Sequence, residues 1–159
     1  MQVRIIAVGK IKERFLSEGI AEYEKRLVPY LNLTVTEIPE ERRGARASSG
    51  QEQLAKEKEG ERILAAIPEH AYVVALDLKG TELSSIELAA RMHDWQISGT
   101  NTIVFVIGGD LGLSDAVLGR AALRLSLSSL TFTHPMARLI LVEQLYRACR
   151  INRGEPYHK

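Results

Sequence analysis

The sequence predicts an α/β fold, a mostly parallel sheet with helices on both faces, in a single domain over residues 1–159. Three observations carry this. Strand-like and helix-like segments alternate from end to end. Residues 102–107, Thr-Ile-Val-Phe-Val-Ile, are five β-branched residues and one aromatic without polar alternation, as a strand covered on both faces requires. That strand runs into Gly108-Gly109, and Ser114-Asp115 offers a cap for the next helix. A buried strand, a glycine turn and a helix start is where open parallel sheets place ligands.

The remaining elements follow in order. Residues 2–8 read as a first strand, ended by Gly9. Residues 10–27 set Ile11, Phe15, Ile20, Tyr23 and Leu27 at near-helical spacing, with charges on the other face. Leu33, Val35 and Ile38 alternate as a second strand that Pro39 stops. Residues 40–50 are polar, arginine-bearing and glycine-punctuated, and read as a mobile loop. Residues 51–67 form a charged helix with Leu54, Ile63, Leu64 and Ile67 as its apolar contacts, closed by Pro68. Residues 71–77 are another buried-type strand, after which Lys79-Gly80 turns the chain. Ser84, with Glu87 three residues on, is a capping box for a helix reaching residue 97. A helix over 114–123 follows the central strand, and residues 125–132 are short, alternating and hydroxyl-rich. The last helix, 136–151, has Pro135 in its first turn, where the missing N–H costs nothing. Its Leu139-Ile140-Leu141-Val142 turn leaves almost no polar face. Burial inside one core accounts for such a turn. In a chain this short, packing against a second copy does so too, and a homodimer is expected.

Composition narrows the class. Apolar residues at 45% and charged residues at 26% are ordinary for a soluble domain. No apolar run approaches the roughly 18 residues of a membrane helix, and the N-terminus lacks a signal-peptide layout. Cys149 is the single cysteine, so no internal disulfide forms, which suits a cytoplasmic protein. The four histidines are scattered, without metal-ligand spacing. A net charge of +1 does not announce a nucleic-acid binder. Charge is nonetheless uneven: residues 134–159 carry Arg138, Arg147, Arg150, Arg153 and Lys159 against Glu143 and Glu155. Arg42, Arg43 and Arg46 form a second cluster, beside Glu40 and Glu41.

The order of motifs is more specific. Phe105-Val106-Ile107-Gly108-Gly109-Asp110-Leu111-Gly112-Leu113, then Leu125-Ser126-Leu127-Ser128, then Thr131-Phe132-Thr133-His134-Pro135-Met136-Ala137-Arg138, then Glu143-Gln144-Leu145-Tyr146-Arg147-Ala148, and finally Pro156-Tyr157-His158-Lys159 resemble the RlmH family of SPOUT-class ribosomal RNA methyltransferases. Val8-Gly9-Lys10, Glu22-Tyr23 with Arg26, and Lys56-Glu57 with Gly60 and Ile63-Leu64 also match, so the resemblance spans essentially the whole chain. It implies S-adenosylmethionine as methyl donor and no metal. It implies transfer to N3 of a pseudouridine in 23S ribosomal RNA on assembled ribosomes. It implies a homodimer and a C-terminal trefoil knot, a feature too rare to be read from spacing. The visible departure is Thr133, where the family often carries proline; His134-Pro135 still fixes the turn. Carried over residue by residue, the resemblance implies a cofactor pocket of Leu76, Gly108, Leu127, Ser128, Ser129, Leu130, Thr131 and Phe132.

The implied chemistry names candidates for catalysis. Methyl transfer needs an in-line nucleophile, and N3 must lose its proton to attack. A nearby cation favours the anion and a base removes the proton. Arg138, His134, Tyr157 and His158 are the candidates. His134 would also serve as a plain helix-entry residue, and Tyr157 and His158 as a frayed end. Gly154 and Pro156 break the helix, so the tail is expected to fold over a cofactor mouth, its own or a partner subunit's. Two other classes remain. A nucleotide-phosphate enzyme would use Gly108-Gly109 as a phosphate loop, but there is neither a Walker lysine nor a dinucleotide glycine fingerprint. A non-catalytic ribosome-binding protein would share the basic segment and bind no cofactor.

Overall fold

The computed structural model describes residues 1–159. Ten elements alternate: β1 (Gln2–Val8), α1 (Arg14–Leu27), β2 (Asn32–Ile38), α2 (Ser49–Ala66), β3 (Tyr72–Glu82), α3 (Ser85–Ile97), β4 (Thr102–Ile107), α4 (Asp115–Arg120), β5 (Leu123–Ser126) and α5 (His134–Asn152). The sheet is parallel throughout, in the order β2-β1-β4-β3-β5. β4, the strand without polar alternation, thus lies at the centre.

Both faces are sealed, and the period of two along each strand shows how. Val3, Ile5 and Ala7 of β1 and Ile103, Phe105 and Ile107 of β4 pack with α1, α3 and α5. Ile6, Val8, Val104 and Val106 point the other way, against Ile63 of α2 and Val117 of α4. Every residue of a strand covered on both faces must be apolar. α5 lies between α1 and α3, and its Leu141, Val142, Leu145 and Ala148 are buried against the sheet. Leu139 and Ile140 of the same turn are half-exposed, so a single chain covers only part of that apolar turn.

Several boundaries differ from the sequence reading. α1 begins only at Arg14, because Gly9 adopts φ +89° and sends the chain through a loop first. Its buried stripe is Leu16, Ile20 and Leu27, which leaves Phe15 at 69% exposure. α2 begins earlier, at Ser49, behind a capping box of Ser48 and Gln51. Leu54 is likewise exposed, and Ala55, Glu59, Gly60 and Ile63 form the buried face instead. Residues 40–47 are irregular but tied down: Arg62 reaches the Pro39 carbonyl at 3.0 Å and Glu41 at 2.5 Å. α4 stops at Arg120, since residues from Leu123 pair with β3 as β5.

β3 is the largest departure. The chain does not turn away at Lys79-Gly80; β3 continues to Glu82 around a bulge, pairing with Leu125 both at Leu76 and again at Thr81. The bulge presses Gly80 onto β5, where a Cβ would lie 2.6 Å from the Arg124 carbonyl oxygen. We expect Gly80→Ala to lower unfolding stability by about 1–3 kcal/mol, the usual cost of overpacking. The urea midpoint should drop at unchanged slope; an unchanged midpoint would mean that β5 yields freely.

Candidate active site

The carboxyl ends of β3, β4 and β5 and the start of α5 surround an open cavity of about 150 Å³. One wall is Leu76, Asp77 and Leu78 of β3. The floor is Ile107 with Gly108, Gly109 and Gly112. The far side is the loop after β5, with Leu127, Ser128, Leu130, Thr131 and Phe132, and His134 and Ala137 close it from α5.

The glycine turn is shaped by lack of room. The Gly112 N–H donates to the Gly109 carbonyl at 3.1 Å, and Gly112 holds φ +80°. A Cβ at Gly108 would stand 2.8 Å from the Gly112 carbonyl carbon. Gly108 is therefore required by its own turn as well as by any ligand, so a bulky residue there would distort the fold locally before it filled the cavity. The β5–α5 loop holds itself in shape: Ser126 Oγ donates to the Ser128 carbonyl, and the Leu130 N–H to Ser128 Oγ. Ser129 does not line the cavity; its hydroxyl donates to Glu82 at 2.8 Å, pinning the loop to the end of β3. What remains facing inward is apolar surface and backbone, with Asp77, Thr131 and His134 as polar side chains of the lining. Nowhere do three His, Cys, Asp or Glu converge as a metal site needs.

The four catalytic candidates occupy three places. His134 lines the cavity, its ring packed on Gly9, where a Cβ would lie 3.1 Å from Cε1. Arg138, one turn on, is buried; it donates to Glu37 at 2.9 Å and to the Gly9 carbonyl at 3.2 Å. It thus leaves the exposed basic surface that its sequence neighbours suggest and ties α5 to the ends of β1 and β2. Tyr157 and His158 are packed on their own chain. The Tyr157 hydroxyl donates to Glu143 at 2.9 Å, its ring meets Tyr146 edge-on at 4.8 Å, and Arg147 lies over it at 4.7 Å. His158 Nδ1 is 3.2 Å from Arg147. Glu155 pairs with Arg150 and accepts from Tyr30. Tyr146 is nine residues beyond Ala137 on α5, roughly 14 Å along the axis. Within one chain, then, the tail does not cover its own cavity. Asp77 is the acidic residue of the cavity wall that the sequence reading missed; its carboxylate accepts the Lys79 N–H at the start of the β3 bulge.

The comparisons bear on this arrangement. A family model described as a predicted SPOUT methyltransferase matches residues 1–158. The chain belongs to the SPOUT methyltransferase family. A Clostridium acetobutylicum relative named ribosomal RNA large subunit methyltransferase H is 50% identical over all of both chains. A Methanoregula boonei relative, whose name assigns the same activity provisionally, is 86% identical over all of both chains. A solved structure of a methylase family protein, described as probable, from Haemophilus influenzae Rd KW20 covers 99% of this chain and 70% of its own, with a TM-score of 0.52. At 13% identity that likeness speaks to the fold alone. The SPOUT fold expected from the sequence motifs is therefore present, and the cavity sits where three of those motifs converge in this chain: the glycine turn, the hydroxyl-rich loop and the His-Pro helix start.

Two consequences can be measured. Arg138 is buried but its partner Glu37 is 38% exposed, so removing Arg138 should cost about 1–3 kcal/mol, the scale of leaving the Gly9 carbonyl without its donor. Arg138→Ala should melt several degrees lower than wild type, and an unchanged melting point would mean that Glu37 and Gly9 do not depend on it. The tail has a pH signature. Burial, with hydrogen bonds to Tyr23 and Glu143, pushes the Tyr157 phenol up, and the bond to Glu155 raises Tyr30. The packed form is the neutral phenol, so its stabilisation is complete below about pH 10 and is lost as pH rises through the folded values. Wild type should lose melting temperature above pH 10 more steeply than Tyr157→Phe; parallel curves would remove Tyr157 from the cause.

Proposed function

We propose that this methyltransferase carries a methyl group from S-adenosylmethionine to N3 of a pseudouridine in 23S ribosomal RNA, on assembled ribosomes in the cytoplasm and as a homodimer. The observation that carries the reading is the cavity itself: a glycine-floored pocket, lined by leucines and a few polar groups, at the topological site where open parallel sheets bind ligands. The names of the relatives support the RNA substrate. The half-exposed Leu139 and Ile140 support a second copy packing on α5.

The residues present fit such a donor. Leu76, Leu127 and Leu130 offer apolar faces for an adenine ring, and the glycine turn admits backbone contact. The donor supplies an electrophilic methyl on a sulfonium. α5 supplies the electrostatics at the cavity rim: its N-cap Thr133 makes no side-chain cap, so the helix N-terminus, which favours negative charge, is left open beside His134. A carboxylate or a developing N3 anion is stabilised there. His134 is the imidazole on the cavity wall, and so the residue placed to take the N3 proton within a single chain. Tyr157 and His158, held on the outer end of α5, reach a cavity only across a dimer, where Tyr157 would stack on or orient the target base. The same reading includes the C-terminal knot, with α5 returning from edge strand β5 to lie between α1 and α3.

The deciding experiment is methylation of ribosomes with labelled S-adenosylmethionine, followed by mapping of the modified nucleotide. Label at one pseudouridine of the large-subunit RNA is the expected result; no label, or label in protein, overturns it. Removing residues 155–159 should leave donor affinity within a few-fold while single-turnover transfer falls by about two orders of magnitude, the scale of losing a positioned proton-transfer group. Near-normal turnover would return the chemistry to His134 alone.

A further inference from the structure

One buried carboxyl has no part in the chemistry above. Glu59, in the middle of α2, is 2% exposed. Its Oε2 accepts the Glu41 N–H at 2.9 Å, and its Oε1 is buried with no partner. Oε1 is aimed at the floor of the cavity: a Cβ on Gly109 would lie 3.8 Å from it. The helix cannot back away, because the next residue, Gly60, packs so closely on Ser114 that a Cβ there would lie 2.3 Å from the hydroxyl. Opposite, Gly109 is bridged to Gly112, but the N–H groups of Asp110 and Leu111 donate to no backbone carbonyl. An orphaned acceptor thus stands behind a turn that has unused donors, in the wall of the cavity.

We propose that Glu59 is a positioning residue for the methyl donor: as the donor fills the cavity, the Gly109–Leu111 turn settles onto α2, and one of its N–H groups bonds to Glu59 Oε1 as an ionised carboxylate. This rests on reading the cavity as the S-adenosylmethionine site. Before binding, burial holds the Glu59 carboxyl above the usual range; the Glu41 N–H opposes this, Glu40 and Asp110 add to it, and Arg43 opposes it. Arg43 is itself paired with Asp110, and Glu41 with Arg62 and Lys58. These are the charged groups facing Glu59 from the 39–48 loop, the turn and α2. A new N–H donor favours the ionised form, so donor binding releases a proton and affinity rises with pH until Glu59 is already ionised in the free protein.

The test is calorimetry of S-adenosylhomocysteine with the full chain, wild type and Glu59→Gln, between pH 5 and 7 and in buffers of different ionisation enthalpy. The other groups of the cavity wall are the same in both proteins, so the difference between them isolates Glu59. Wild type should gain affinity with pH and release protons. Glu59→Gln keeps the shape and the bond from Glu41, and should bind about tenfold more weakly at pH 7, the scale of one lost charged hydrogen bond. Its affinity should also vary less with pH. Amide exchange on wild type gives a variant-free check: saturation should protect the amides of residues 110 and 111. Identical affinities and pH profiles in the two proteins, or unprotected amides in the saturated wild type, overturn the inference and leave the cavity assignment standing. No binding by wild type at any pH overturns the assignment, and the inference with it.

Discussion

The structure depends on how β4 ends. A central strand sealed on both faces has apolar residues throughout, so its chain must leave the sheet without exposing backbone to the core or clashing with what seals it. Here it leaves through Gly108–Gly112, where backbone packs on backbone at distances that leave no room for a Cβ at 108. Because β3 bulges beyond Leu76 and β5 is only four residues long, neither neighbour closes over that exit. The cavity is the space left when three adjacent strands end at different heights and α5 starts beside them. Its apolar lining, backbone polarity and position all follow from that one constraint.

α5 connects this site to the other distinctive feature, the tyrosine–arginine cluster. Its first turn borders the cavity, its second buries Arg138 against Glu37 and Gly9, and its last turns carry Tyr146, Arg147 and Arg150, onto which the tail folds. The tail is ordered by pairs that a frayed end would lack: Glu155 with Arg150 and Tyr30, and Tyr157 with Glu143. Individually such partly exposed pairs contribute little. Together with an edge-on aromatic contact they present Tyr157 and His158 at a fixed place, roughly 14 Å of helix from the nearest cavity. In the dimer proposed above, a second copy against the half-exposed side of α5 would give that ordering a use.

The architecture was legible because burial on both faces writes itself into composition: residues 102–107 and 71–75 could be nothing but interior strands. The end of the sheet that carries the cavity was legible for the same reason, since glycines and hydroxyls cluster where strands stop. Helix phase was less so. Phe15 and Leu54 fit an apolar stripe one residue out of register with the true one, and α2's buried face uses Gly60 and the carboxylic Glu59, which no hydropathy pattern selects. The β3 bulge was hidden because Lys79-Gly80 is an ordinary turn signal; only contact with Arg124 makes Gly80 a packing glycine. Arg138 and Ser129 were misplaced as exposed or inward groups because their partners, Glu37 and Glu82, are 101 and 47 residues away. Long-range polar pairing leaves no local trace.

That pairing also governs how this chain can meet RNA. Counterion release needs cations free to exchange one set of anions for another. Arg147 is held by Glu143, Arg150 by Glu155 and Tyr30, Arg138 by Glu37 and Arg43 by Asp110, so much of the basic charge counted in the sequence is already neutralised inside the fold. At each of these four arginines a phosphate contact must first displace an internal carboxylate, so they add little to this protein's non-specific affinity for a phosphate backbone. Its discrimination has to come from shape and stacking: the exposed Leu130 and Leu78 at the cavity rim, and an aromatic tail fixed at a set distance. Under the function proposed above, such a surface suits a base held in one place better than a flexible strand.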